Sequence, residues 1–299
     1  MNWEALSQAL GPGKLLLDEP MAKHSSFKIG GPADALAKPG NVAELKAALG
    51  FAKQNGLPVF FLAGGTNLLV KDGGIRGLTL KLEGEFKDIA IDGLKLKAGA
   101  GANLALISKK AGLAGLTGLE FAVGIPGSLG GGLVMNAGAH GGELSQVVTK
   151  IGLLEDAEVR EIPAGEAGFE YRNSKFKGGR MLLLWAEMEL RAGDPAEIER
   201  VMQEALGKRK ATQPIHLPNA GCLFKNPVGQ SAGRMIEEAG LKGLREGGAQ
   251  ISELHANFVV NTGGAKAKDV LALMELTRAK VKEKFGVVLD NEVLIVGEA

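Results

Sequence analysis

Val42, Leu45, Leu49 and Ala52 recur at helical spacing, and the pattern stops at Gly56. Pro58 to Leu62 then forms a short apolar run of the kind a buried strand makes. Together they predict an αβ unit. Further on, Ile89-Ala-Ile91 and Leu94-Lys-Leu96 alternate on either side of Asp92-Gly93, which predicts a β-hairpin turning at that dipeptide. Leu182 to Trp185 and Leu190 predict another strand. Asp194-Pro195-Ala-Glu197 supplies an N-cap, a proline at the first helical position and an acid at the third, so a helix should run through Ile198, Val201, Met202 and Leu206. Gln213-Pro214 and Leu217-Pro218 break regular structure and put a domain boundary near residue 210. Beyond it a helix is predicted from about Lys268 to Phe285, with Val270, Met274, Val281 and Phe285 on one face and Gly286 as its stop. A strand over Val293 to Val296 follows. Helix and hairpin signals mix through both parts, so the expected class is α+β.

Phe121 to Ala139 carries no charged residue and is long enough to span a bilayer. It holds six glycines, Pro126, Ser128 and Asn136. A helix there loses about 1 kcal/mol per glycine and about 3 at the proline, so a buried glycine-rich loop is the expected form. The first twenty residues lack a secretory pattern, and a single cysteine, Cys222, excludes an internal disulfide. A cytoplasmic location is expected. A formal charge of +1 without long basic or acidic runs argues against nucleic acid or a membrane surface as the partner. No obligate protein partner is evident, and a small molecule fits better.

Two loops could hold one. Ala63-Gly64-Gly65-Thr66-Asn67 follows the Val59 to Leu62 run, and Gly124-Ile125-Pro126-Gly127-Ser128 leads through Gly130 to Asn136-Ala137-Gly138. Glycine lets backbone N–H groups approach and face one anion, which is how diphosphates are held without a positive charge; tight turns are the other reading. The chain has neither GxxxxGK[ST] nor GxGxxG between strand and helix, so P-loop and Rossmann fingerprints are missing. His24, His140, His216 and His255 are scattered, and no metal site is expected. There is no G-x-S-x-G either. His255 reads as a structural histidine near the start of a strand. Arg172, beside the sole tyrosine Tyr171, Cys222 and Glu292 each read alone as ordinary structural residues.

Read together, the motifs resemble those of the UDP-N-acetylenolpyruvoylglucosamine reductase family. The resemblance runs through HSSFKIGGPAD (24–34), AGGTNLLV (63–70), GIPGSLGGGLVMNAGAHGGEL (124–144), YRNSKFK (171–177), NAGCLFKNP (219–227), AGRMIEEAGLKG (232–243), HANFVVN (255–261) and DNEVLIVGE (290–298). It implies a two-lobed FAD-binding domain of the vanillyl-alcohol-oxidase type over 1–209, with lobes of about 1–80 and 81–209, and a smaller α+β substrate-binding domain over 210–299. It further implies non-covalent FAD wrapped by the two glycine-rich loops, NADPH as co-substrate, and a UDP-sugar met by Tyr171, Lys225 and Asn226. Arg172 and Glu292 match the catalytic pair, and Cys222 the proton donor. The implied reaction reduces an enolpyruvyl ether, which builds negative charge that spreads into a carboxylate; a planar, permanently charged guanidinium suits that charge.

Two departures stand out. The family's commonest pattern has serine where this chain has Cys222. A thiol, with a reference pKa of about 8.5, gives up a proton more readily than an alcohol but fails as a donor at high pH. The interval from Arg172 to Cys222 is also short and lacks a tyrosine, as in the variant without the substrate-covering loop. The alternatives are a flavin oxidase or dehydrogenase of the same fold acting on a sugar or lactone, and a non-catalytic sugar-nucleotide-binding protein.

Overall fold

The structure, a computed structural model, describes residues 2–178 and 181–299. The chain folds into two compact units that share the sequence discontinuously. The first comprises Met1–Leu15, Ala37–Gly64 and Leu80–Lys208, and the second Leu16–Leu36, Gly65–Thr79 and Arg209–Ala299. The chain passes from one to the other at Gly64–Gly65, within three strands, and inside the Pro195–Thr212 helix.

In the first unit the expected helix runs Val42–Gln54, with the Asn41 side chain accepting from Glu44 N at its start. The apolar run becomes the strand Val59–Phe61. The hairpin forms, but its strands are Ile89–Asp92 and Lys95–Gly99 with Asp92 opposite Lys95. The turn is therefore Gly93-Leu94 rather than Asp92-Gly93. The neighbouring strand sets this register: Leu182–Glu189 pairs Met188 with Leu96 and Glu189 with Lys95, and Leu190 N donates to Leu94 O at 2.9 Å. These strands lie in a five-stranded antiparallel sheet completed by Val148–Glu155 and Glu158–Pro163. Leu96, Ile107, Leu129, Leu133, Ile151 and Ala186 are among the residues of its buried core. Asp194 caps the Pro195–Thr212 helix, its Oδ1 accepting from Ala196 N at 3.0 Å.

The glycine-rich stretch departs from the expected loop in one respect. Leu129–Val134 is a six-residue helix containing three of the glycines. The propensity cost is offset by close packing, because a Cβ on Gly132 would sit 3.0 Å from Leu144 Cδ1 and one on Gly130 3.1 Å from Ala100 Cβ. Among the described residues no helix is long and apolar enough to cross a membrane.

The second unit is built on a four-stranded antiparallel sheet, ordered Asn219–Cys222, Phe258–Asn261, Ala249–Ile251, Arg245–Glu246. The helix Ala267–Phe285 buries Val270, Leu273, Met274 and Val281 in the same core, and Gly286 ends it at φ +71°. Leu16–Leu36 and Gly65–Thr79 join this unit rather than the amino-terminal one, and specific bonds explain why. Leu68–Val70 pairs in parallel with Leu294–Val296, Phe27, Ile29 and Leu69 enter the core, and Asp72 accepts from Ala267 N and Lys268 N at 2.9 and 3.0 Å.

Candidate functional site

The residues singled out from the sequence fall into two groups, one in each unit. Ala63, Gly64, Gly124–Gly138, Tyr171 and Arg172 belong to the first; Gly65, Thr66, Asn67, Cys222, Lys225, Asn226 and Glu292 belong to the second.

In the first unit the two loops meet backbone to backbone. A Cβ on Gly64 would lie 2.5 Å from Gly127 Cα and 2.9 Å from Ser128 N. Glycine at 64 thus serves the contact between the loops, a use the sequence did not distinguish from ligand approach. The second loop is carried by the 100–104 segment: Leu104 N donates to Gly127 O, Leu129 N to Ala102 O and Gly130 N to Ala100 O, at 3.0, 2.8 and 2.7 Å. Ala63, Gly64 and Pro126 are exposed, and neither loop contains a charged residue. A surface of uncharged, glycine-rich backbone suits the diphosphate and apolar ring of a dinucleotide such as FAD.

The loop's far end holds the arginine. Glu170 and Asn173 exchange two backbone hydrogen bonds of 3.1 and 3.2 Å, leaving Tyr171 and Arg172 at the tip of a two-residue turn. Arg172 takes φ +55° there, and Asn136 takes φ +39°. Left-handed backbone at a non-glycine residue costs about 1–3 kcal/mol and persists only where neighbours enforce it. They do: buried Asn136 accepts from Ser145 N at 3.0 Å and donates to Glu170 O at 3.3 Å, while Arg172 Nη2 donates to Gly138 O at 2.9 Å. Two crossed hydrogen bonds therefore clasp the Tyr171-Arg172 turn onto Asn136–Gly138.

In the second unit Cys222 and Glu292 lie on adjoining segments. The strand Asn219–Cys222 pairs with Phe258–Asn261, Asn219 opposite Val260 and Cys222 opposite Phe258, so one extra residue bulges between the two pairs. Gly221, at φ +78°, supplies the left-handed position such a bulge needs, and a bulge re-aims the side chain beside it. On the other edge Leu223 O accepts from Glu292 N at 2.8 Å and Val293 N at 3.3 Å, and Lys225 N donates to Asp290 O at 2.9 Å. Asn67 reaches the same place, its Nδ2 donating to Glu292 O and its carbonyl accepting from Leu294 N, both at 3.1 Å. Ser26 ties the loop to the cysteine strand, donating from Oγ to Asn219 O at 2.7 Å and from N to Gly65 O at 3.0 Å. Cys222 and Glu292 are each half-buried. Asn226 Oδ1 accepts from Ala232 N at 3.0 Å and so also starts the Ala232–Glu238 helix.

The sequence reading passed over Ser26, Ser145, Glu170 and Asn257, which fix these segments. The signal available for Asn257 was an amide inside the apolar run HANFVVN, because a buried polar side chain must find partners. His255 supports it, its Nδ1 accepting from Asn257 N at 3.3 Å, which requires a neutral ring. Burial pushes the imidazole below its ordinary range; its own backbone and Glu237 pull it up, and Lys242 pushes it further down. The unfolded chain then takes up this proton first, so the stabilisation is complete above about pH 6.5 and is lost as pH falls through that value towards the lower folded one. In His255→Asn, Oδ1 can accept the same N–H without titrating. Melting temperatures across pH should show the variant losing less stability on acidification than the parent; parallel curves would refute this role.

Among the described residues no group of three or more His, Cys, Asp or Glu is placed to hold a metal ion. Comparison with known proteins adds two family models. Residues 32–158 match an FAD binding domain, and residues 213–296 match the carboxy-terminal domain of UDP-N-acetylenolpyruvoylglucosamine reductase. A UDP-N-acetylenolpyruvoylglucosamine reductase of Symbiobacterium thermophilum is 48% identical over 96% of this chain and 93% of that protein. One from Caldanaerobacter subterraneus is 47% identical over 99% and 98%. The crystal structure of the corresponding reductase from Thermus caldophilus superposes with a TM-score of 0.81 at 38% identity, covering 94% of this chain and 97% of that one. The chain belongs to the UDP-N-acetylenolpyruvoylglucosamine reductase family.

Proposed function

We propose, from that membership, that the chain reduces UDP-N-acetylglucosamine enolpyruvate to UDP-N-acetylmuramate with NADPH, in the cytoplasmic synthesis of peptidoglycan precursors. The observation that carries the reading is the placement of Cys222 and Glu292 on segments joined through Leu223 O, with Asn67 of the first glycine-rich motif bonded to the same glutamate. A proton donor, a carboxylate and a cofactor-loop residue are there held by four backbone-directed hydrogen bonds. When bound, FAD supplies the redox chemistry, accepting hydride from NADPH and giving it to the enolpyruvyl double bond.

The chain's own residues do the rest. We assign FAD to Ala63–Asn67 and to Gly124–Ser128, Gly130 and Asn136–Gly138, and its binding mainly to the 1–209 part. The UDP-sugar falls to residues 210–299, with Lys225 and Asn226, and with Tyr171 beside the catalytic arginine. Arg172, already fixed by Gly138 O and by its turn, holds the substrate carboxylate, into which the charge created by reduction spreads. Cys222 then gives its thiol proton to the α-carbon: the S–H bond breaks, the C–H bond forms, and solvent reprotonates the thiolate. Glu292 orients the donor and substrate.

Purified protein should be yellow, bleach anaerobically with NADPH, and regain its colour on addition of UDP-N-acetylglucosamine enolpyruvate, as followed by the flavin spectrum. Bleached protein that the enolpyruvyl sugar cannot reoxidise would overturn the reading.

A further inference from the structure

Beyond Cys222 the regular ladder stops, yet Leu223 and Phe224 remain paired on that side. Asn257 provides all the partners. Its carbonyl accepts from Leu223 N at 2.9 Å, its Oδ1 accepts from Phe224 N at 3.0 Å, and its Nδ2 donates to Phe224 O at 2.8 Å. The side-chain amide thus stands in for a peptide group, facing both polar atoms of Phe224 as a neighbouring strand would. Asn257 and Phe224 are 3% and 2% exposed, so water cannot replace these bonds. On the opposite edge the same two residues carry Glu292 and Asn291, through Leu223 O and the Phe224–Asn291 bridge.

We propose that Asn257 is a positioning residue for the reaction, setting the thiol of Cys222 and the carboxylate of Glu292 in register with each other through Leu223 and Phe224. The inference deepens the proposed function and rests on its assignment of the proton to Cys222. It is specific to an amide. Aspartate would turn an oxygen towards Phe224 O, and leucine, of similar shape, would leave both Phe224 atoms without partners. Loss of register by about 1 Å between donor and acceptor costs about 10²-fold in rate.

The test compares the two half-reactions in the FAD-loaded full chain for Asn257→Asp, Asn257→Leu, Cys222→Ala and the Cys222→Ala/Asn257→Leu pair. Reduction by NADPH should stay within about twofold of the parent in the Asn257 variants. Reoxidation by UDP-N-acetylglucosamine enolpyruvate should slow about 10²-fold, with a larger solvent deuterium effect as proton delivery becomes limiting. The slowing should shrink to well under about tenfold in the Cys222→Ala background, because the part that acts through the thiol is gone and only the orientation of the substrate by Glu292 is left to lose. Equal losses in both half-reactions, loss of FAD by both Asn257 variants, or a full additive loss in the pair would each make the role structural and overturn the proposal. Normal turnover by Cys222→Ala alone would overturn the reading beneath it, and is seen without any change at 257.

Discussion

Cys222→Ala should slow reduction of the enolpyruvyl sugar by about 10²–10⁴-fold, the usual contribution of a positioned acid, while NADPH still bleaches the flavin at the parent rate. The two observations separate because the role proposed for the thiol falls only in the second half-reaction. Cys222→Ser should retain much of the turnover, since a hydroxyl occupies nearly the same place on the Gly221 bulge and can relay a proton. The bulge matters here: nothing lies within 4 Å of the place a methyl group on Gly221 would take, so glycine stands there for its left-handed φ of +78°, which aims position 222, and not for lack of space. Stopped-flow spectra of both half-reactions measure the effect. An alanine variant with parental reoxidation would transfer the proton to another group.

Arg172→Ala should cost about 10²–10³-fold in the same half-reaction, the range found when one donor to a developing anion is removed. Arg172→Lys should recover little of it, because an ammonium cannot present the planar, two-pronged face that a carboxylate fits. The backbone offers an independent control. At φ +55° the arginine is strained where glycine is not. Arg172→Gly therefore loses the hydrogen bond to Gly138 O, about 0.5–1.5 kcal/mol, but is relieved of left-handed strain of similar size. It should melt within a few degrees of the parent while being as slow as the alanine variant. A large fall in melting temperature would mean that the arginine mainly holds the turn together.

Much of the fold is legible in the chain because its elements satisfy local rules. The Val42–Gln54 and Ala267–Phe285 helices show their buried stripe and stop signals, and Asp194-Pro195 announces the helix that follows. The hairpin was legible as a hairpin but not in register, because the Leu182–Glu189 strand, not the turn dipeptide, decides which residues face each other. The Leu129–Val134 helix was hidden because glycines that oppose it by propensity favour it by allowing contact with Ala100 and Leu144. The candidate site was legible as a set of motifs and illegible as an assembly. Nothing local in AGGTNLLV says that its strand will pair with Leu294–Val296, or that Asn257 will complete a strand it does not belong to.

That remote pairing bears on how the polypeptide matures on the ribosome. Asn67 and Glu292 are 225 positions apart, and at about 5–20 residues per second their meeting waits about 11–45 s after the earlier segment has emerged. Throughout that interval Leu68–Val70, wholly buried in the finished protein, has an open hydrogen-bonding edge and an apolar surface with no cover. Until residues 294–296 emerge, this short apolar strand lacks the edge it pairs with in the finished protein, the condition under which strands associate with other chains.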